Sequence, residues 1–143
     1  MPKTKKKITI KYARMWPREF FDIKEKGQLL IRSTGVLKEP GVYILYRDEH
    51  PYYIGKATTS LFKRLHDHAN VSTDKYFNLW NYFSAFVVTK KHINEVEGIL
   101  IAAMPTANSA SPKITQIRVP KELARIFRKA RQKKFHLKTD NRK

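Results

Sequence analysis

The sequence predicts a mixed α/β (α+β) domain, a small three-stranded antiparallel sheet flanked by helices. Two strand-like stretches, Val42 to Tyr46 and Tyr52 to Ile54, are β-branched and aromatic, and the turn-forming residues Arg47 to Pro51 join them as a hairpin. Ser84 to Thr89 (SAFVVT) supplies a third strand. Two amphipathic stretches supply helices: Leu61, Phe62, Leu65 and Ala69 share one face, as do Ile93, Val96, Leu100 and Met104.

The 143 residues are sized for one domain with tails, and a hydrophobic fraction of 41% fills one modest core. Thirty Lys and Arg against twelve Asp and Glu give a net charge of +18, a surface suited to a polyanion such as nucleic acid. An anionic membrane surface is the weaker alternative. No apolar run reaches the ~18 residues of a membrane span. The start, MPKTKKKITIK, is charged but lacks the apolar stretch of a secretory signal. There is no cysteine, which excludes disulfides and thiolate zinc sites and fits a reducing, cytoplasmic setting.

The chain divides into a basic arm and packing segment (1–38), a core (39–110) and a basic C-terminal helix and tail (111–143). In the first part, Ile8 to Ile10 reads as a short strand. Trp16 to Phe21 opens a short helix with Pro17 in its first turn. Phe20, Phe21 and Ile23 pack onto the domain, Gln28 to Ile31 is a strand or an approach to the sheet, and Thr34 to Pro40 is loop. In the core, a hairpin centred near Asp48 sets Tyr43 opposite Tyr53 on one face. Thr58, Thr59 or Ser60 caps the helix that starts near Leu61. Asn70 to Asp74 is loop, and the aromatic run Tyr76 to Phe83 reads as a further helix.

Charged groups on these helices stand out. Arg64 and His68, four apart, are neighbours along one helix edge. Glu97 falls about 40° from Ile93, within an apolar stripe, whereas Glu95 points to solvent. A carboxylate there needs a partner: an ion pair with Arg64 or Lys56, or a metal. Asp67 points away. Pro120 starts a last helix whose stripe, Leu123, Ile126, Phe127 and Ala130, is expected to dock on the domain. From Lys113 to Lys143 there are twelve Lys and Arg against two acids. Lys121, Arg125, Arg128, Lys129, Arg131 and Lys133 therefore form a ridge for phosphate contact, or a solvated face.

Gly41-Val42-Tyr43 and Tyr53-Ile54-Gly55, in this order and spacing, resemble the two signatures of the GIY-YIG nuclease family. The likeness runs from about Glu39 to Asn108. Arg64 matches the arginine of that family's following helix, and His68 the histidine or tyrosine one turn on. Lys56, just after the second signature, resembles the variant in the nuclease domain of the bacterial excision-repair incision subunit. The resemblance implies that Glu97 is the metal-binding glutamate, for Mg²⁺ (or Mn²⁺), and that Asn108 lies near the site. A turn role also fits Asn108. It further implies that Tyr43 is the base or the water-positioning group, with Lys56 or His68 helping to take its proton and Tyr53 bonding nearby.

The expected activity is metal-dependent hydrolysis of DNA phosphodiester bonds. Such hydrolysis needs a deprotonated water, balanced charge on the phosphoryl oxygens and a stabilised leaving oxygen. Mg²⁺ commonly takes one or two carboxylates and keeps its waters, so Glu97 alone suffices. Arg64 offers a planar fork for phosphate. The proton acceptor stays open between Tyr43 and His68. DNA is the expected partner, RNA the less favoured one, and no membrane is expected. Duplex cleavage by a single-metal monomer calls for a dimer or a second event. The alternative is a non-catalytic basic DNA- or RNA-binding protein on the same scaffold, which has no need of Glu97 beside phosphate.

Overall fold

The structure, a computed structural model, describes residues 9–108, 112 and 114–140. Side chains are described for all of these except 9, 10 and 133–140. The element order is β1 (Thr9–Pro17), a 3₁₀ turn (Arg18–Phe21), β2 (Lys24–Glu25), β3 (Gln28–Leu29), α1 (Leu30–Ser33), β4 (Gly41–Arg47) and β5 (His50–Ala57). Then follow α2 (Leu61–Asn70), β6 (Tyr82–Val88), a 3₁₀ turn (Lys90–His92), α3 (Ile93–Ala103) and α4 (Lys121–Asp140).

The fold is α+β, but its main sheet has four antiparallel strands in the order β1-β6-β4-β5, one more than expected. The added strand is β1, expected only as a stub at Ile8 to Ile10, of which Ile8 lies outside the described residues. A break in its period-2 alternation hides it. Its pairing with β6 shifts register between Thr9 and Lys11 and again between Ala13 and Trp16, where Met15 has φ 52°. The bulge lets both Ala13 and Trp16 turn inward although they are three apart, and Ser84 accepts a hydrogen bond from the freed Met15 amide (3.0 Å).

The sheet separates two apolar clusters. Tyr43, Leu45, Phe83 and Ala85 face α2, whose Leu61, Leu65 and Ala69 meet them together with Phe21 and Trp80. Val42, Ile44, Ile54 and Val88 face the other way, against Ile93, Val96 and Leu100. β4 is buried throughout from Gly41 to Leu45, being the central strand covered on both faces. The N-terminus of α2 is closed by Ser60, whose Oγ accepts from Lys63 N, while Leu61 N and Phe62 N donate to Glu39 O and Leu37 O.

Several expectations are corrected. Tyr43 pairs with Gly55, and Tyr53 with Leu45, so the two tyrosines are diagonal rather than opposite. The two-residue turn Asp48–Glu49, with Asp48 at φ 57°, and a bulge after Leu45 set that register. Tyr76 to Asn81 is not helical. Asp74 Oδ1 accepts from Tyr76 N (2.9 Å), which starts a chain of turns, and the rings leave in different directions. Tyr76 packs on Tyr53, Phe77 lies under Arg18, and Trp80 enters the core. Ile23 is exposed rather than packed. The stripe on α4 does not dock: Leu123, Ile126 and Phe127 are 58%, 53% and 58% exposed. Both faces of the sheet already carry their covering helices, α2 and α3.

Candidate active site

The strand β5 and the two covering helices meet at a cleft of about 690 Å³. Its walls are Tyr53 and Lys56 from β5, Arg64 and Asp67 from α2, Glu97 from α3, and Asn108. Asp67 was expected to point away and instead lines this cleft. Glu97 is half-buried on the edge of α3 rather than in the middle of its apolar face, while Ile93, Val96 and Leu100 pack on the sheet. Glu95 is exposed and lies 3.5 Å from His92.

Lys56 and Asn108 are held by side-chain hydrogen bonds. Lys56 donates to Asn94 Oδ1 (2.7 Å), one turn before Glu97 on the same helix. Asn108 uses its side-chain amide as a strand would. It accepts from Ile54 N (3.0 Å) and donates to Ile54 O (2.8 Å), while Ala107 N donates to Tyr52 O (2.7 Å). Thr106 Oγ1 donates to the same Asn108 oxygen (2.7 Å). Asn108 therefore closes the open edge of β5, a stronger role than that of a turn residue.

Tyr43 and His68 lie behind the cleft, fully buried. The Tyr43 hydroxyl is 2.7 Å from His68 Nε2, and His68 Nδ1 is 2.8 Å from Asp74 Oδ1. Burial holds the Tyr43 phenol above its usual value, and Tyr53 adds to this; the nearby Arg64 guanidinium opposes them. Burial also holds the His68 imidazole below its usual value, against the pull of Asp74. Desolvation would raise Asp74, yet its bonds from His68 and Tyr76 N keep it below the usual carboxylate range. Tyr53 is raised by burial, then by Tyr76, whose ring stacks on it at 4.2 Å. Sequence reasoning left Asp74 in a loop without a role. Asn94 was missed too, although it lies three before Glu97 on one helix.

The two signature glycines have steric reasons. A Cβ on Gly41 would lie 1.9 Å from Phe86 O on the neighbouring strand. A Cβ on Gly55 would lie 2.3 Å from the Tyr43 hydroxyl oxygen and 2.8 Å from Tyr53 Cε1.

The donor set fits a hydrated hard cation. Glu97 presents one carboxylate to a roomy open cleft, and Mg²⁺ is commonly bound in that way. Among the described residues no three His, Cys, Asp or Glu side chains gather as a cage, so a cation here would keep most of its water.

No protein-family model and no curated protein matches the chain. Solved structures do. One is the GIY-YIG N-terminal endonuclease domain of UvrC from Thermotoga maritima, bound to magnesium, its catalytic divalent cation. It is 34% identical over 57% of this chain and 92% of that one, with a TM-score of 0.42. A tyrosine-to-phenylalanine mutant of that domain with its cation matches at 34% identity over 57% and 91%, TM-score 0.42. An asparagine-to-alanine mutant matches at 33% over 57% and 91%, TM-score 0.41. One third identity across nine tenths of that domain decides the family. The chain belongs to the GIY-YIG nuclease family. The GIY-YIG likeness covers little more than half of this chain. Of the expected nucleic-acid contacts, Lys121, Arg125, Arg128, Lys129 and Arg131 are exposed on α4, while the side chain of Lys133 lies outside the described residues. Arg125 engages Glu122, and Arg131 lies over the Phe127 ring at 5.8 Å. No helix among the described residues is long and apolar enough to cross a membrane.

Proposed function

We propose that this protein is a metal-dependent DNA endonuclease that hydrolyses phosphodiester bonds in the cleft between α2 and α3. The observation that carries this is the pairing of opposites in one cleft, Glu97 on one wall with Arg64 and Lys56 on the others. A site that only bound phosphate gains nothing from Glu97, which repels the ligand unless a cation intervenes.

Glu97 would hold the cation, Mg²⁺ or Mn²⁺, which when bound would balance charge on the phosphoryl oxygens and stabilise the leaving oxygen. Arg64 engages the phosphate with its fork, and Lys56, aimed by Asn94, adds positive charge. The buried chain from Tyr43 to His68 supports a division of labour on the proton. His68 is 1% exposed and its Nε2 faces Tyr43, so its proton path to the cleft runs through that phenol. Tyr43 is buried in the free protein, with Arg64 nearby. Engagement of phosphate by Arg64 has to open a path to the Tyr43 hydroxyl oxygen. Tyr43 then takes the proton of the attacking water as its own passes to His68. Tyr53 and Asn108 shape the wall beside it.

Segments 1–38 and 111–143 are taken as basic flanks of a core at 39–110, with the exposed cations of α4 gripping the DNA backbone. The test is cleavage of supercoiled plasmid and labelled branched DNA, with Mg²⁺ and with EDTA, by wild type and Glu97→Ala. Mg²⁺-dependent nicking, lost in the variant, is the expected result. Tight binding without cutting of any substrate would overturn the proposal in favour of a binding protein.

A further inference from the structure

We infer that Asp74 is a positioning residue for proton transfer, fixing the tautomer of His68 so that Nε2 faces Tyr43 with a free lone pair. The catalytic consequence rests on the nuclease proposal; the tautomer does not.

The geometry makes the assignment. Asp74 Oδ1 receives Tyr76 N at 2.9 Å and lies 2.8 Å from His68 Nδ1. An ionised carboxylate only accepts, so Nδ1 must carry hydrogen. A neutral imidazole then has its lone pair on Nε2, 2.7 Å from the Tyr43 hydroxyl, which donates to it. Imidazole free in water favours the opposite tautomer, with hydrogen on Nε2, and in that form Tyr43 would have no acceptor there. The surroundings leave the ring no freedom to turn. His68 is 1% exposed, its backbone oxygen accepts from Trp80 Nε1 (3.4 Å), and the Tyr76 ring stands edge-on to it at 5.6 Å.

The step balances. The Tyr43 O–H bond breaks as the Nε2–H bond forms, and the proton on Nδ1 stays where it is. The imidazolium so formed lies against the Asp74 carboxylate, which offsets its charge. The other charged or titratable groups acting on His68 are Arg64, which disfavours its protonation, and Asp67, which favours it; Tyr43, Tyr53 and Tyr76 ring it. Asp74 is invisible to helical or strand periodicity because it reaches back to His68 from the loop after α2, six residues on.

The test reads the tautomer directly, by long-range ¹H–¹⁵N correlation of the histidines in the full-length ¹⁵N-labelled protein above neutral pH. His68 is expected to show a protonated Nδ1 and a bare Nε2, and Asp74→Ala to shift hydrogen onto Nε2. In Asp74→Asn, the amide oxygen stays pinned by Tyr76 N, so the wild-type tautomer is retained. Plasmid nicking by Asp74→Ala should lose kcat on the order of 10- to 100-fold, the size usual for removing a partner that orients a working imidazole, at unchanged KM for DNA. Asp74→Asn should recover most of the rate and move the acid limb of the pH profile lower, since the carboxylate that favours protonation is gone. A protonated Nε2 in the wild type, or an unchanged tautomer in Asp74→Ala, would overturn the inference. A wild type that cuts no DNA would instead refute the nuclease proposal, while the NMR result would still decide the role of Asp74.

Discussion

The Tyr43 hydroxyl sits directly beneath Gly55, so close that a Cβ there would come within 2.3 Å of its oxygen. Each signature thus makes room for a contact between strands: the second glycine admits the phenol, and the first, Gly41, admits the Phe86 carbonyl.

Substituting these glycines separates two kinds of strain. In Gly55→Ala the methyl meets a buried ring tied to His68, and overpacking of this kind costs roughly 1–3 kcal/mol. In Gly41→Ala it meets the backbone of β6 at 1.9 Å, so β4 and β6 must part. Thermal melting should place Gly41→Ala well below Gly55→Ala. Nicking by Gly55→Ala should fall even at temperatures where it is folded, because Tyr43 is displaced. A Gly55→Ala protein with wild-type melting and activity would refute the packing seen here.

Much of this arrangement was legible in the sequence, for definite reasons. The β4–β5 hairpin, the Ser60-capped α2 and the amphipathic α3 follow local rules of alternation, capping and helical spacing, and they carry Tyr53, Lys56, Arg64 and Glu97 to one cleft. The failures are non-local. A bulge at Met15 concealed β1 by breaking its alternation. Tyr76, Phe77 and Trp80 resembled a helix because each is apolar, but each ring answers to a different partner. Asp74 and Asn94 act through side-chain hydrogen bonds to other elements, α2 and β5, which no periodicity encodes.

Glu97 separates binding from chemistry. Glu97→Ala should lower the nicking rate by on the order of 10²- to 10³-fold or more, as loss of a key electrostatic group does. DNA affinity measured in EDTA should hold or rise, since a negative charge has left the cleft. Equal loss of affinity and cutting in a folded variant would show that Glu97 is structural.

The pH dependence follows from burial of His68. Its folded-state pKa lies below the ordinary value of about 6.5, so Nε2 stays free to accept a proton at and somewhat below that pH. The acid limb of kcat should therefore have its midpoint under about 6.5. Stability moves in the same direction. The unfolded chain protonates this histidine first, so folding weakens as pH falls below about 6.5. Asp74, depressed when folded, adds stability above its ordinary carboxylate value that is lost as pH drops through its folded value. Melting temperature should be level above neutrality and decline below about 6.5, with a shallower decline from 6.5 to 5 in His68→Gln. An identical decline in that variant would place the titration elsewhere.

The cations of α4 should act on affinity alone. Lys121, Arg128 and Lys129 are exposed there and make no ion pair or ring contact among the described residues. Arg125 and Arg131 are partly engaged, by Glu122 and Phe127. Each lost phosphate contact reduces the slope of log K against log salt by about 0.9 on duplex DNA. Lys121→Ala, Arg128→Ala and Lys129→Ala should each flatten that slope by up to this amount. Cleavage at saturating DNA should stay near wild type, since none of the three lines the cleft. Arg125→Ala should change the slope less, because its guanidinium already meets Glu122. A triple variant with an unchanged slope would remove α4 from the DNA path and leave the grip to the cleft and the N-terminal segment.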